Sequence, residues 1–373
     1  MKKKYTALGA YIFAGGFTRG VLDSRRFEVV EHLEEGMYGV PTAKLNFPKL
    51  PIRVGLDTWE PERWKNKIDL VYGNPPCAAW SRLNVKKTVS NLLWKRDPRV
   101  DCTRNHFKLL EMIRPKVWVW ESVDMAMNAG AEFVYELSQE AVLLGYAISH
   151  LRFDAQYVGG AHRRLRYFMI AHKYAINFGD AIDFVSPPMA GDVLASHVDR
   201  SADDRIFLPL PKKHVAAYKK TKPGWPLREA WDAMNPNPEI RTASTGATFV
   251  VGRPSFKNLR IDPNAVCPTV VGLNVIHPSE PRHLSIGEMK TVCGYPPTWK
   301  LEKEGSDSSA RWDLFTRAVM PPIGKWIAKI VADSLDDAEP LRKKFIQVID
   351  ARKKDRIDIV PWQYETKQLN FDM

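Results

Sequence analysis

Three short stretches of this chain gather side chains that can make and break covalent bonds. The first is Gly73-Asn74-Pro75-Pro76-Cys77-Ala78-Ala79-Trp80-Ser81. Two prolines stiffen the backbone just ahead of a cysteine, and a partly deprotonated thiol is a strong nucleophile. The second is Arg114-Pro115-Lys116-Val117-Trp118-Val119-Trp120-Glu121-Ser122-Val123, in which an acid follows directly on an apolar run. Placed there, Glu121 can hydrogen-bond a reacting group or shuttle its proton. The third is Gly159-Gly160-Ala161-His162-Arg163-Arg164-Leu165-Arg166-Tyr167-Phe168. Arg164 and Arg166 alternate into a strand, which puts both guanidinium groups on one face, ready to hold a carbonyl or phosphate oxygen. Each stretch taken alone also has a plain structural reading: a turn cysteine, a helix-capping glutamate and a basic strand edge.

The surrounding pattern supplies elements to position them. Residues 5–14 read as a buried strand that meets Gly15-Gly16, and Phe27 to Val30 as a second strand closing near Glu34. Ile68 to Tyr72 reads as a third strand, stopped by Gly73-Asn74-Pro75-Pro76, and Lys116 to Trp120 as another that ends at Glu121. Helical patterns at His106 to Ile113 and Phe133 to Leu144 alternate with these strands, and Tyr167 to Ala171 adds one more strand. Such alternation predicts an α/β fold with a mostly parallel, doubly wound sheet, in which ligands bind at the carboxyl ends of the strands. Cys77 and Glu121 both fall at that edge.

After about Lys173 the character changes. Residues 174–281 are rich in proline, cations and aromatics and read as a second, smaller, irregular domain. Residues 282–335 return to regular patterning, with helices at Leu284 to Val292 and Trp312 to Leu335, and so rejoin residues 1–173. The tail, 336–373, reads as a helical appendage. No internal repeat is visible.

The chain has 373 residues, 55 basic and 43 acidic, for a net charge of +12. That surplus favours a polyanionic partner such as nucleic acid. None of the four cysteines, Cys77, Cys102, Cys267 and Cys293, has Cys-x-x-Cys spacing, so neither a metal site nor a redox pair is expected. No apolar run reaches about 18 residues and no signal peptide is visible, so the expectation is a monomer with reduced thiols and no membrane contact, in the cytoplasm of a bacterial or phage-infected cell.

The three stretches, in this order, resemble the cytosine carbon-5 methyltransferase family. Pro76-Cys77 is similar to its Pro-Cys loop, Glu121-Ser122-Val123 to its Glu-Asn-Val, and His162 to Arg166 to its Gln-x-Arg-x-Arg. Arg282-His283-Leu284-Ser285-Ile286-Gly287-Glu288, continuing to Cys293-Gly294-Tyr295-Pro296, is similar to its Arg-x-Leu-Thr-x-x-Glu segment, and Arg317-Ala318-Val319-Met320-Pro321-Pro322 to its terminal Gly-Asn-Ala-Val-Pro-Pro segment. The resemblance spans about residues 5–330. It implies a Rossmann-like methyltransferase fold, S-adenosylmethionine as cofactor and a cytosine flipped out of double-stranded DNA as substrate.

The chemistry asks for these groups. Carbon 5 of cytosine is a poor nucleophile until a thiolate adds to carbon 6, the role implied for Cys77. Glu121 would hydrogen-bond ring nitrogen 3, and Arg166, supported by Arg164, would hold the ring oxygen. On the cofactor side the family's Phe-x-Gly-x-Gly-Gly corresponds to Tyr11-Ile12-Phe13-Ala14-Gly15-Gly16, with one glycine lost to Phe13. Glu34, with Glu31 as competitor, is placed to accept the ribose hydroxyls, and Asp57 to accept from the adenine amino group. Asn74, Pro75, Ala318 and Val319 complete the expected cofactor contacts.

Arg317 stands where the family has asparagine, beside the methionine end of the cofactor. Two like charges 4–6 Å apart at an effective dielectric of about 20 repel by roughly 3–4 kcal/mol, so an anion must balance a sulfonium there. Either Arg317 turns outward or pairs with another anion, or the cofactor itself carries a carboxylate. In the second case carboxy-S-adenosylmethionine would yield 5-carboxymethylcytosine. For contact with DNA the expected residues are Ser81, His162, Arg163, Lys219, Lys220, Arg241 and Arg253, with Ser244 to Gly246, Phe256 and Lys257 as further groups in the recognition region. A tRNA cytosine methyltransferase and a catalytically silent DNA-binding relative are the alternatives. The length of the recognition region argues against the first, and the retained Cys77, Glu121 and Arg166 against the second.

Overall fold

The computed structural model describes residues 3–81, 93–178, 182–242, 248–255, 258–302, 310–337, 339–341 and 343–362. The chain divides into two compact units. The first comprises residues 1–159, 165–186 and 318–373, the second residues 160–164 and 187–317. Residues 282–317, expected with the catalytic part, therefore pack in the second unit.

The first unit is built on one nine-stranded sheet. Its strands are β1 (Tyr5–Ala10), β2 (Phe27–Glu34), β3 (Ile52–Val54), β4 (Leu70–Gly73), β5 (Val117–Val123), β6 (Ala147–Asp154), β7 (Leu165–His172) and, beyond the four short strands of the second unit, β12 (Ile346–Lys353) and β13 (Arg356–Pro361). They lie in the order β13-β12-β6-β7-β5-β4-β1-β2-β3. Most neighbours are parallel; β7 runs against both β5 and β6, and β13 against β12. Covered on both faces, the central strands are apolar throughout: Val117 to Trp120 are all fully buried.

Helices α1 (Gly16–Asp23), α2 (Val40–Asn46), α3 (Arg99–Ile113), α4 (Ala126–Ala129), α5 (Ala131–Leu143) and α11 (Pro321–Asp337) also belong to this unit. Gly20 of α1 lies so close to α11 that a Cβ there would stand 2.3 Å from the Pro321 carbonyl oxygen, so only glycine permits the packing. A large aromatic core centres on Trp80, Trp118, Trp120, Phe107 and Tyr167.

The second unit holds α6 (Ala190–Ala195), α7 (Lys212–Lys220), α8 (Leu227–Met234), α9 (Ile286–Val292) and α10 (Ala310–Thr316). It also contains an antiparallel ribbon of β8 (Ile240–Thr242) and β9 (Thr248–Val250), and a parallel pair, β10 (Leu259–Arg260) and β11 (Val275–Ile276). Leu210, Tyr218, Leu227 and Ile276 form a small apolar cluster. A capping box, Ser285 with Glu288, starts α9, and the ammonium of Lys290 is buried against Asp204.

Three expectations change. The tail is not helical: residues 346–361 form a β-hairpin whose first strand extends the sheet alongside β6. The helix expected over Trp312 to Leu335 is two helices, because Pro321-Pro322 cannot continue one from α10 and instead begins α11. Arg164 precedes β7 and belongs to the second unit, so it does not share a strand face with Arg166.

Candidate active site

The Cys77 loop leaves β4 at its carboxyl end. Asn74 to Cys77 run without regular structure into a turn in which the Trp80 amide donates to the Cys77 carbonyl at 3.2 Å. The indole of Trp80, fully buried against Phe133 with ring centroids 5.6 Å apart, anchors that turn. Cys77 itself is half-buried and in no disulfide. Arg99, in the first turn of α3, lies within electrostatic range of this thiol, though its guanidinium is held charged chiefly by Asp97. A neighbouring cation favours the thiolate. Arg99 was missed in the sequence because nothing in the spacing of 77 and 99 shows that α3 begins beside the loop.

Glu121 lies on β5, two residues before its end, and is 2 % exposed. The side-chain amide of Asn74 donates to one carboxylate oxygen, and the Arg166 Nε lies 2.8 Å from the other. The strand register explains the second contact. Antiparallel β7 pairs Phe168 with Glu121 and Arg166 with Val123, so Arg166 lies one step along the same face as Glu121. Asn74, expected at the cofactor, is thus engaged with the acid. Ser122 is fully buried with no hydrogen-bond partner for its hydroxyl among the described residues, so it does not orient Glu121 through a hydrogen bond. Arg164 is buried in the second unit, within electrostatic range of Cys293 and Tyr295.

The second cluster sits at the carboxyl ends of β1, β2 and β3. The turn after β1 carries left-handed residues at alternating positions, Tyr11, Phe13 and Gly15, the last with φ of 87°. At Tyr11 and Phe13 that conformation is strained, and it aims the backbone N–H groups of Ile12 and Phe13 at the Glu34 carboxyl. Burial pushes the Glu34 pKa up to about 8 in spite of those two donors. Glu31 is otherwise occupied, accepting from Arg53 Nε at 2.7 Å, from Arg63 and from the Trp64 indole at 2.8 Å. Asp57 is exposed in the turn after β3, and the preceding Gly55 amide donates to the Glu34 carbonyl at 2.8 Å. The Tyr11 hydroxyl donates to Glu35 at 2.6 Å, and the Phe13 ring lies 5.0 Å from that of Tyr38.

This set fits the adenosine half of S-adenosylmethionine. It offers a buried carboxyl for the ribose hydroxyls, an exposed carboxylate for the amino group, and a rim of Phe13, Tyr38 and Leu56 for the ring. Tyr38 and Leu56 are each 43 % exposed and were not anticipated; the signal available was an aromatic in the Gly36-to-Gly39 turn. Ala14, Gly15 and Gly16 are buried in the turn, Pro75 is buried behind Cys77, and Ala318 and Val319 are buried ahead of α11.

The remaining expected residues are dispersed. Arg317 directly follows α10, with its side chain 63 % exposed, and pairs with Asp313 at 2.5 Å. His162 is fully buried in the second unit beside Cys267, while Arg163 is exposed. Burial of His162 removes the ring from the surface where it was expected to meet DNA. Lys219 and Lys220 are exposed at the end of α7, and Arg241 is exposed on β8. Arg253 is tied to Asp232 at 2.7 Å, and Ser81 is partly exposed. Ser244 to Gly246, Phe256 and Lys257 lie outside the described residues. Among the described residues no cluster of His, Cys, Asp and Glu could hold a metal ion, and no helix is long and apolar enough to cross a membrane.

Comparison with known structures finds a shared fold. A prophage-encoded E. coli protein described as a DNA modification methyltransferase aligns at 17 % identity with a TM-score of 0.61, covering 89 % of this chain and 100 % of its own. A mutant of Spodoptera frugiperda Dnmt2 aligns at 15 % identity and TM-score 0.60, covering 88 % and 99 %. The Entamoeba histolytica methyltransferase EhMeth aligns at 14 % and 0.58, covering 90 % and 99 %. A comparison with curated proteins gives no match. The family model for C-5 cytosine-specific DNA methylases matches residues 10–332. With Cys77, Glu121 and Arg166 standing within that span, the chain belongs to the C-5 cytosine-specific DNA methylase family.

Proposed function

We propose that this chain transfers a methyl group to carbon 5 of a cytosine flipped out of duplex DNA. The observation that carries the reading is the Glu121 carboxylate, buried between the Asn74 amide and the Arg166 guanidinium at the edge where the Cys77 loop emerges. Cys77 adds through Sγ to carbon 6, with Arg99 favouring its thiolate form. Glu121, protonated as the base binds, donates from its carboxyl to ring nitrogen 3 as electron density moves there, and Arg166 keeps the acid oriented. S-adenosylmethionine, held by Glu34 and Asp57, supplies the electrophilic methyl. Water or hydroxide takes the carbon 5 proton, and the electron pair left behind re-forms the 5,6 double bond and expels the thiolate. The target base is out of reach inside a duplex, so it must be extruded.

Two observations favour particular choices. The β8–β9 ribbon is exposed on both faces over nearly its whole length, with Arg241 paired directly across from Phe249. A two-stranded ribbon fits the major groove of B-form DNA, whereas the deep, narrow groove of A-form RNA excludes one. That supports DNA over tRNA. The pairing of Arg317 with Asp313 balances the charge within the chain. It supports the methyl donor over carboxy-S-adenosylmethionine.

The test is covalent trapping on duplex DNA containing 5-fluorocytosine, followed by mass spectrometry of the modified nucleosides. Wild type should form an adduct and leave 5-methylcytosine on ordinary DNA. An adduct of equal yield with Cys77→Ser would end the reading; modification of tRNA alone, or an added carboxymethyl mass, would replace its substrate or donor.

A further inference from the structure

The matched family segment stops at residue 332, yet β12 and β13, residues 346–361, extend the catalytic sheet. We infer that this C-terminal hairpin, through Trp362 and Arg352, is a positioning element for the catalytic residues. The inference rests on the function proposed above.

Two independent lines of contact run from the tail to the active strands. The first is aromatic. Trp362, fixed by its amide to the Ile346 carbonyl at 3.0 Å, sets its indole edge-on to His150 with centroids 4.5 Å apart, and 5.9 Å from Tyr135. The His150 ring is buried and kept neutral, its pKa pushed down to about 3 by burial. It hydrogen-bonds the Tyr167 hydroxyl at 2.8 Å through Nδ1 and the Ser138 hydroxyl at 3.2 Å through Nε2. Tyr167 meets Trp120 edge to face at 5.6 Å, and Trp120 meets Trp80 at 5.7 Å. Each of these three rings is a close chain neighbour of a catalytic group. Tyr167 follows Arg166, Trp120 precedes Glu121, and Trp80 closes the turn that Cys77 opens. By strand alternation, the rings of Trp120 and Tyr167 lie on the sheet face opposite Glu121 and Arg166. The ladder therefore backs the site from behind without touching it.

The second line is ionic. Asp124, three residues after Glu121, receives Arg152 of β6 in a two-pronged pair at 2.8 Å, and Arg352 of β12 approaches it to 3.6 Å. Arg352 is in turn held by Asp350 on its own strand. The tail thus fixes the exit of β5 and, through the rings, the backs of β5 and β7. Close-packed interiors transmit displacement, and a misplacement of about 1 Å at a catalytic group costs up to about 100-fold in rate.

The experiment compares wild type, Trp362→Ala, Trp362→Phe and Arg352→Gln well below their melting temperatures, with folding checked by near-UV circular dichroism. Single-turnover transfer and the rate of adduct formation on 5-fluorocytosine DNA are read beside the Kd for the cofactor and for DNA. Trp362→Ala should slow adduct formation roughly tenfold with both Kd values unchanged, and Trp362→Phe should recover most of the rate. Arg352→Gln should slow it several-fold by the other line. Should Trp362→Ala fail to fold, Arg352→Gln carries the test alone, since it does not empty the core. Wild-type adduct rates in folded Trp362→Ala or Arg352→Gln, or losses confined to Kd, would overturn the positioning role. Absence of any adduct with wild type would instead overturn the function on which it rests.

Discussion

Glu34 offers a measurement in which structure fixes sign and size. Its pKa is pushed up to about 8 by burial, above the 4.5 of a free glutamate, so in the empty site it holds a proton at neutral pH. In the proposed cofactor site the ribose hydroxyls would donate to the ionised form, so binding would have to displace that proton. At pH 6 the cost of deprotonation is about 2.7 kcal/mol and at pH 8 about 0.4 kcal/mol, taking 1.36 kcal/mol per pKa unit. Affinity should rise about 50-fold over those two pH units and level off above pH 8. The same shift acts on folding with the opposite trend. The folded state binds the proton more tightly than the unfolded chain, so the Glu34 contribution to stability falls as pH rises from about 4.5 to about 8. Titration calorimetry with S-adenosylhomocysteine in two buffers of different ionisation enthalpy counts the protons released. Glu34→Gln, which has no proton to lose, gives the baseline for the ligand's own amino group. Identical pH slopes in wild type and Glu34→Gln would refute the reasoning.

Three further outcomes follow from the same structure. Glu31→Gln should cost about 2 kcal/mol of stability by weakening charge-assisted bonds to Arg53 and Arg63, while leaving cofactor affinity near wild type; denaturant unfolding and calorimetry together separate it from Glu34. Because the Trp64 indole, Arg53 and Arg63 together hold the Glu31 pKa below 4.5 against the effect of burial, this difference should shrink as pH falls through the acid range. Asp204→Ala leaves the Lys290 ammonium buried without its carboxylate and should destabilise the second unit by about 3–5 kcal/mol, read as a lowered unfolding midpoint. Arg241→Ala should relax sequence choice at one position of the target by about 1–3 kcal/mol, scored by sequencing methylated sites; a uniform loss across all sequences would mark it as a phosphate contact instead.

Where the candidate residues lie along the strands was legible in the sequence; how the sheet brings them together was less so. Cys77 and Glu121 were legible because each ends an apolar run, and the carboxyl edge of a parallel sheet needs no tertiary knowledge to locate. Arg166 was legible as a cation near that edge, but its engagement with Glu121 depends on β7 running antiparallel, which no local pattern declares. The same blindness misplaced Arg164, whose one-residue offset from the strand start puts it in a different unit. The tail read as helical because lysine and arginine runs hide the alternation of buried Ile349 and Ala351 with Asp350 and Arg352, and pairing with distant β6, not propensity, makes it a strand. His162 matched a motif position but is buried, a property that only packing around Cys267 decides.

The pairing of β12 with β6 also bears on how the protein is made. Strand β6 is buried over nearly its whole length, yet its outer neighbour is synthesised long after it. Until residues 346–353 emerge, a nascent chain presents a nearly finished sheet with one open, hydrogen-bond-hungry side. Truncated or stalled products ending before Ile346 should therefore associate through that side and depend on chaperones for solubility.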